Sequence, residues 1–124
     1  MPFDFPKLYH SFRYALAGLR YAWRHEQNFR LQVMAALVVI ILIAVLQPAL
    51  RDTLLLVLLI AFVLPLELVN TALEKVTDLL QPRIHHYAEV MKDLLAAAVF
   101  VSSLTALILG LIIFWPYFTR FIRP

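Results

Sequence analysis

Residues Leu94 to Trp115 read LLAAAVFVSSLTALILGLIIFW and end at Pro116. No charged side chain interrupts the run, and it exceeds the roughly 20 residues a helix needs to cross a hydrocarbon core. Two further runs lie upstream. Leu31 to Leu46 is broken only by Gln32 and closes at Gln47-Pro48, and Thr53 to Leu66 continues with helical spacing to about Leu80. The first is long enough once its flanks are counted. The second spans only if its more polar C-terminal half also sits at membrane depth.

Composition agrees. The 124 residues are 63% hydrophobic, with a mean hydropathy of +0.82. A soluble domain this small keeps too much surface in water to hide that much apolar area. The chain has no cysteine, which excludes disulfides and thiolate metal sites. Its net charge of +3 is spread without a cluster of nucleic-acid type, so an anionic membrane surface is expected and nucleic acid is not. Lys7, Arg13, Arg20, Arg24 and Arg30 are evenly spaced, and no apolar segment with a small-residue cleavage site precedes Leu31. No cleaved leader is expected.

Upstream of the runs, Phe12, Ala15, Leu16, Leu19, Ala22 and Trp23 recur at helical spacing, with Arg13, Arg20 and Arg24 elsewhere on the wheel. That pattern predicts a basic amphipathic helix on the membrane face rather than a soluble helix on a core. The expected architecture is an all-α membrane protein with one domain over 1–124. It has a surface helix over about 7–27 and spans over about 30–47, 53–80 and 90–115. With three spans, eight Lys and Arg fall on the N-terminal side and three (Arg51, Arg120 and Arg123) on the other. The N-terminus is then expected in the cytoplasm. Trp115, Tyr117 and Phe118 sit where an interfacial aromatic belt is expected, and Gln81-Pro82-Arg83-Ile84-His85-His86 forms a cytoplasmic turn.

The second span carries the chemistry. Glu67, Asn70, Glu74 and Asp78 follow one another at steps of three and four, so they share one stripe of a helix. Carboxylates at membrane depth normally face a bundle interior or wet cavity and mark function. A solvated cytoplasmic extension would account for Asp78 and Glu74 but not for Glu67, which directly follows the apolar run. Oxygen donors without cysteine favour Mg²⁺, which one or two carboxylates hold together with substrate phosphates. A spare carboxylate can serve as a general base toward a hydroxyl. Glu26 and Asp93 lie on the same predicted side. These features point to phosphoryl transfer from Mg-ATP to an alcohol at the membrane interface. No Walker loop, Gly-rich kinase loop, HRD or DFG motif is present, so any nucleotide site has another architecture. From the residues alone the reading stops at an intramembrane carboxylate site with a divalent cation.

The string Glu67-x-x-Asn70-Thr71-Ala72-x-Glu74-x-x-x-Asp78 resembles the signature of the small prokaryotic diacylglycerol and undecaprenol kinase family. So do Gly18-Leu19-Arg20, Ala22-Trp23 and Glu26-x-x-Phe29-Arg30 before it, and His85, Lys92-Asp93 and Ala96-Ala97-Ala98 after it. The likeness covers about Phe12 to Phe114. It implies a multi-pass lipid kinase of the bacterial cytoplasmic (inner) membrane, a homotrimer with active sites shared between protomers, using ATP and Mg²⁺. Residue by residue, it implies Glu67 as general base and Glu26 and Glu74 as Mg²⁺ ligands. Tyr14, Glu26, Glu74, Asp78, His85, Lys92 and Asp93 fall on the nucleotide side, and Glu67, Asn70, Trp23 and Arg30 on the lipid side. Other readings stand for single residues: His85 as a loop residue, Lys92 as an interfacial anchor, Tyr14 and Trp23 as interfacial aromatics.

The sequence departs from the family pattern at Met91, at Leu94-Leu95 and at Pro65, which removes a helical hydrogen bond two residues before Glu67. Asn28-Phe29-Arg30 and the Pro82 turn look more like the undecaprenol type, with diacylglycerol as the alternative acceptor. A catalytically inactive scaffold fits the intact acid set poorly. A small transporter fits poorly too, because polar residues stop at Glu67 instead of lining a whole pathway.

Overall fold

The computed structural model describes residues 2–80, 82–83 and 85–123. Four helices follow one another: α1 (Phe5–His25), α2 (Gln27–Leu46), α3 (Leu50–Leu80) and α4 (His85–Ile122). The last three are each long and apolar enough to cross a membrane. Gln81 and Ile84, which the sequence places in the turn between α3 and α4, lie outside the described residues.

Each boundary has a local cause. Asp4 caps α1 by accepting from the Lys7 amide at 3.0 Å, and Pro6 occupies the first turn, where its missing N–H costs nothing. The chain then breaks at Glu26, whose backbone is extended (φ −111°, ψ 108°). Neither glycine nor proline is present there. Instead the Arg30 guanidinium reaches back and donates to the carbonyls of Trp23 (2.9 Å) and Arg24 (3.1 Å). Those carbonyls would otherwise lack partners at the helix end, so Arg30 acts as a side-chain cap for α1. Downstream, α2 ends where Gln47 turns left-handed (φ 47°, ψ 60°) and Pro48 prevents continuation.

Two prolines are absorbed. α3 runs unbroken through Pro65, and α4 runs through Pro116 to Ile122, so the end of the last apolar run is not the end of its helix. A proline costs a helix one backbone hydrogen bond, which lipid-embedded helices tolerate when neighbours compensate. The extra turn of α4 has a use. The Tyr117 hydroxyl accepts from the Ala49 amide at 3.0 Å and donates to the Asp52 carboxylate in the first turn of α3. Tyr117 therefore ties α4 to the α2–α3 loop, while Trp115 and Phe118 remain exposed. At its other end α4 begins at His85, so His85 and His86 are helical residues and not part of the turn.

Packing is sparse by the standard of a water-soluble protein. α3 rests mainly on α4 and secondarily on α2, and α1 touches α2 and α3. Among the described residues the buried apolar ones are few: Ala22, Phe29, Ala36, Leu56, Ala88 and Phe114. Ile40, Leu58, Phe62, Phe100, Leu107 and Leu111 point outward, as do Phe5, Leu8, Phe12 and Leu16 along α1. In water such faces would drive aggregation. In lipid they are at no disadvantage.

Removing the Tyr117 hydroxyl should expose this economy. Tyr117→Phe leaves Asp52 and the Ala49 amide without their shared partner. Thermal unfolding in detergent should show a loss of about 1–3 kcal/mol, and an unchanged melting curve would mean the contact carries no stability.

Candidate active site

The acidic stripe of α3 is buried in a gradient. Glu67 is 1% exposed and Asn70 6% exposed, Glu74 is half-buried, and Asp78 is exposed. Seventeen residues separate Leu50 from Glu67, about 25 Å along the helix axis. That is most of the roughly 30 Å hydrocarbon core, so Glu67 sits near its far edge and the rest of the stripe climbs out of it.

A carboxylate at that depth needs hydrogen-bond donors. Gln32 supplies one from α2: its Nε2 donates to Glu67 Oε2 at 3.2 Å. The Asn70 side chain, one turn along α3, is buried on the same stripe. Gln32 was legible in the sequence only as the break in the first apolar run, yet it is the residue that fixes the orientation of Glu67. Thr77, fully buried, donates to the Glu74 carbonyl at 2.8 Å, and Thr71, six residues nearer Glu67, is also buried.

Glu26 joins this stripe because the chain breaks there. Its carboxylate lies 3.9 Å from Lys75 Nζ, and both Glu26 and Glu74 act electrostatically on Glu67. Lys75 also lies 5.8 Å from the centroid of the Tyr21 ring on α1. Lys75 thus bridges α1 and the stripe, a role that its charge alone did not signal. Its amine is half exposed, so the Glu26 pair contributes little stability by itself. On the α4 side, Lys92 pairs with Asp78. That contact sets Lys92 one turn beyond Glu74, while Asp93 next to it is exposed.

Not every residue singled out in the sequence gathers here. Tyr14 is exposed and stacks on His10, about 18 Å up α1 from Glu26. His85 opens α4 and is exposed. Trp23 is partly exposed, and its carbonyl is one of the two that Arg30 caps. Arg30 is accordingly held by backbone carbonyls of α1.

Among the described residues no group of three or more His, Cys, Asp or Glu side chains forms a self-sufficient metal cage. Mg²⁺ takes one or two protein carboxylates and draws its other ligands from phosphates and water. Glu26 and Glu74, which both act on Glu67, are the carboxylates that could hold such an ion.

The family model described as prokaryotic diacylglycerol kinase matches residues 13–114. The chain belongs to that family. A diacylglycerol kinase of Synechocystis is 39% identical over 106 residues, which cover 85% of this chain and 61% of that protein. An undecaprenol kinase of Bacillus subtilis is 34% identical over 110 residues, 89% of each chain. A diacylglycerol kinase of Escherichia coli K12 is 29% identical over 114 residues, 92% of this chain and 93% of its own. The matched region of the family model runs from α1 into the last turns of α4, so it contains the break at Glu26, the whole stripe and the Lys92–Asp78 pair.

Arg30 is the testable hinge of this arrangement. Arg30→Met should leave the helical content unchanged but raise amide hydrogen exchange around Glu26 and Gln27. Unchanged exchange there would show that Arg30 is not what caps α1.

Proposed function

We propose that the protein transfers the γ-phosphoryl group of ATP to the hydroxyl of a membrane lipid, with undecaprenol as the favoured acceptor and undecaprenyl phosphate as product. The observation that carries the reading is Glu67, a buried carboxylate at the hydrocarbon edge, oriented by Gln32 and backed by Asn70. In this reading Glu67 takes the proton of the lipid hydroxyl as its oxygen attacks the γ-phosphorus. The bond from that phosphorus to the β–γ bridging oxygen breaks, ADP leaves, and lipid phosphate and a proton are the other products. Glu26 and Glu74 are the residues that would hold Mg²⁺, which when bound neutralises the phosphate oxygens. Lys92, positioned by Asp78, adds positive charge on the same side. Tyr14, His85 and Asp93 complete the nucleotide side, and Trp23 and Arg30 flank the lipid side.

A diacylglycerol acceptor is the second reading, favoured by the names of the Synechocystis and E. coli relatives. Undecaprenol is supported by the B. subtilis relative and by Asn28-Phe29-Arg30 with the Pro82 turn. Tyr14 stands apart from Glu26 within one protomer, and the outward apolar faces of α2–α4 are uncovered. Both features support a homotrimer in which neighbouring copies complete each site. The excess of Lys and Arg on the N-terminal side supports a cytoplasmic N-terminus in the bacterial inner membrane, with α1 lying on its surface.

With labelled ATP and mixed micelles containing undecaprenol or diacylglycerol, Glu67→Gln should cut lipid phosphorylation by about 10²–10⁴-fold. Glu26→Gln and Glu74→Gln should raise the Mg²⁺ concentration needed for half-maximal rate. Full activity in Glu67→Gln would remove the base from the mechanism, and label only in phosphatidic acid would assign the acceptor to diacylglycerol. Because the chain has no cysteine, introduced thiols report topology cleanly. In intact cells Thr119→Cys should react with an impermeant maleimide and Ser11→Cys should not, and the reverse pattern would invert the orientation.

A further inference from the structure

Next to Gln32 lies a cavity of about 400 Å³ between α2, α3 and α4, open on one side and lined by apolar residues including Ala36, Leu56, Leu59 and Val63. Two polar side chains interrupt the wall, Gln32 from α2 and Ser103 from α4. Each presents a buried atom with no hydrogen-bond partner among the described residues: Gln32 Oε1 and Ser103 Oγ. The Gln32 amide has to turn its N–H toward the Glu67 carboxylate, so its carbonyl is the end left over. Ser103 is an exception on its own helix. Ser102 and Thr105 return their hydroxyls to the carbonyls four residues back, at 2.8 Å each, and Ser103 does not.

The helix register puts these groups at one depth. Lys92 pairs with Asp78 across the antiparallel α3 and α4. Eleven residues onward along α4 is Ser103, and eleven residues back along α3 is Glu67, so with equal rise per residue the two lie level. The cavity therefore holds an orphan acceptor and an orphan donor beside the proposed base, inside an otherwise hydrocarbon wall.

An unpaired buried polar atom is costly, and an empty apolar cavity forgoes contacts. One chemical group answers both orphans at once: a hydroxyl, which accepts from Ser103 and donates to the Gln32 carbonyl. We infer that Gln32 and Ser103 form the docking site for the hydroxyl of a polyprenol-type alcohol, whose first hydrocarbon units fill the cavity while the rest of the chain leaves into lipid. This inference rests on the lipid kinase reading above and names the acceptor's class and its binding residues. A swing of the O–H from the Gln32 carbonyl to the carboxylate that the same amide holds would then deliver the proton to Glu67. A diacylglycerol suits the cavity less well. Its two esters lie on the next two carbons along from the one that carries the hydroxyl and would bury carbonyl oxygens against apolar walls with no donors to meet them.

The test uses the full-length protein in mixed micelles, with undecaprenol and dioctanoylglycerol as acceptors and the deoxy analogue of each as inhibitor. Ser103→Ala and Gln32→Leu should each raise the KM for undecaprenol about five- to tenfold with the KM for MgATP unchanged, and Ser103→Thr should restore it. Wild type should be inhibited less strongly by the deoxy polyprenol than its KM for undecaprenol would suggest, and both variants should lose that difference. A purely structural role would lower stability or kcat without removing the discrimination between alcohol and deoxy analogue. Wild-type KM values in Ser103→Ala and Gln32→Leu would overturn the site. Phosphorylation of dioctanoylglycerol alone would overturn the acceptor class and leave the kinase reading standing. No lipid phosphate from wild type with either acceptor would overturn both.

Discussion

A carboxylate held among apolar helices has no water to solvate it, so the surrounding chain must supply its hydrogen bonds. Glu67 is in that position, and much of the local structure answers its requirements. Gln32 crosses from α2 to donate to it, and Asn70 is buried one turn away. Glu74 and Asp78 then step outward along the same stripe, where the cost of charge falls as the helix leaves the hydrocarbon. The resulting gradient, dry at Glu67 and wet at Asp78, gives one helix a hydrocarbon end and an aqueous end of a single site. A lipid hydroxyl and a nucleotide phosphate can meet only across such a boundary.

The second organising feature is the break at Glu26. One residue in extended conformation turns the chain from α1 into α2, and Arg30 stabilises the turn by satisfying carbonyls at the end of α1. The same turn carries the Glu26 carboxylate to Lys75, which in turn lies against Tyr21. α1 and the acidic stripe are therefore linked through side chains with more than one partner each, so motion of α1 would be felt at Glu26.

Elsewhere the protein relies on its solvent. The core is thin, and the outward faces are apolar because lipid, or another copy of the chain, takes the place of protein packing. Backbone economy is stricter. The prolines in α3 and α4 sit inside continuous helices. The polar contacts that join the helices include Tyr117 with Asp52 toward one end of the bundle and Gln32 with Glu67 and Lys92 with Asp78 toward the other. The stretch between them is left to dispersion contacts.

The span-forming helices and the acidic stripe were legible in the sequence because both depend on local periodicity: long uncharged runs for lipid, and steps of three and four for one helix face. The boundaries were less so. Pro116 reads as a stop but lies within α4, since the turn beyond it is held by a contact with Asp52 more than sixty residues away. Likewise His85 reads as loop and begins a helix. Gln32 showed only as a break in an apolar run, and Lys75 and Ser103 carried no functional signal, because each matters through partners on another helix: Glu67, Glu26 with Tyr21, and the cavity shared with Gln32. Sequence by itself determined the solvent, the helices and the residues able to do chemistry, all properties of composition and spacing along one chain segment. Only tertiary structure decided which of those residues share a site and which face the same cavity, because that depends on the register between antiparallel helices, which no single helix contains.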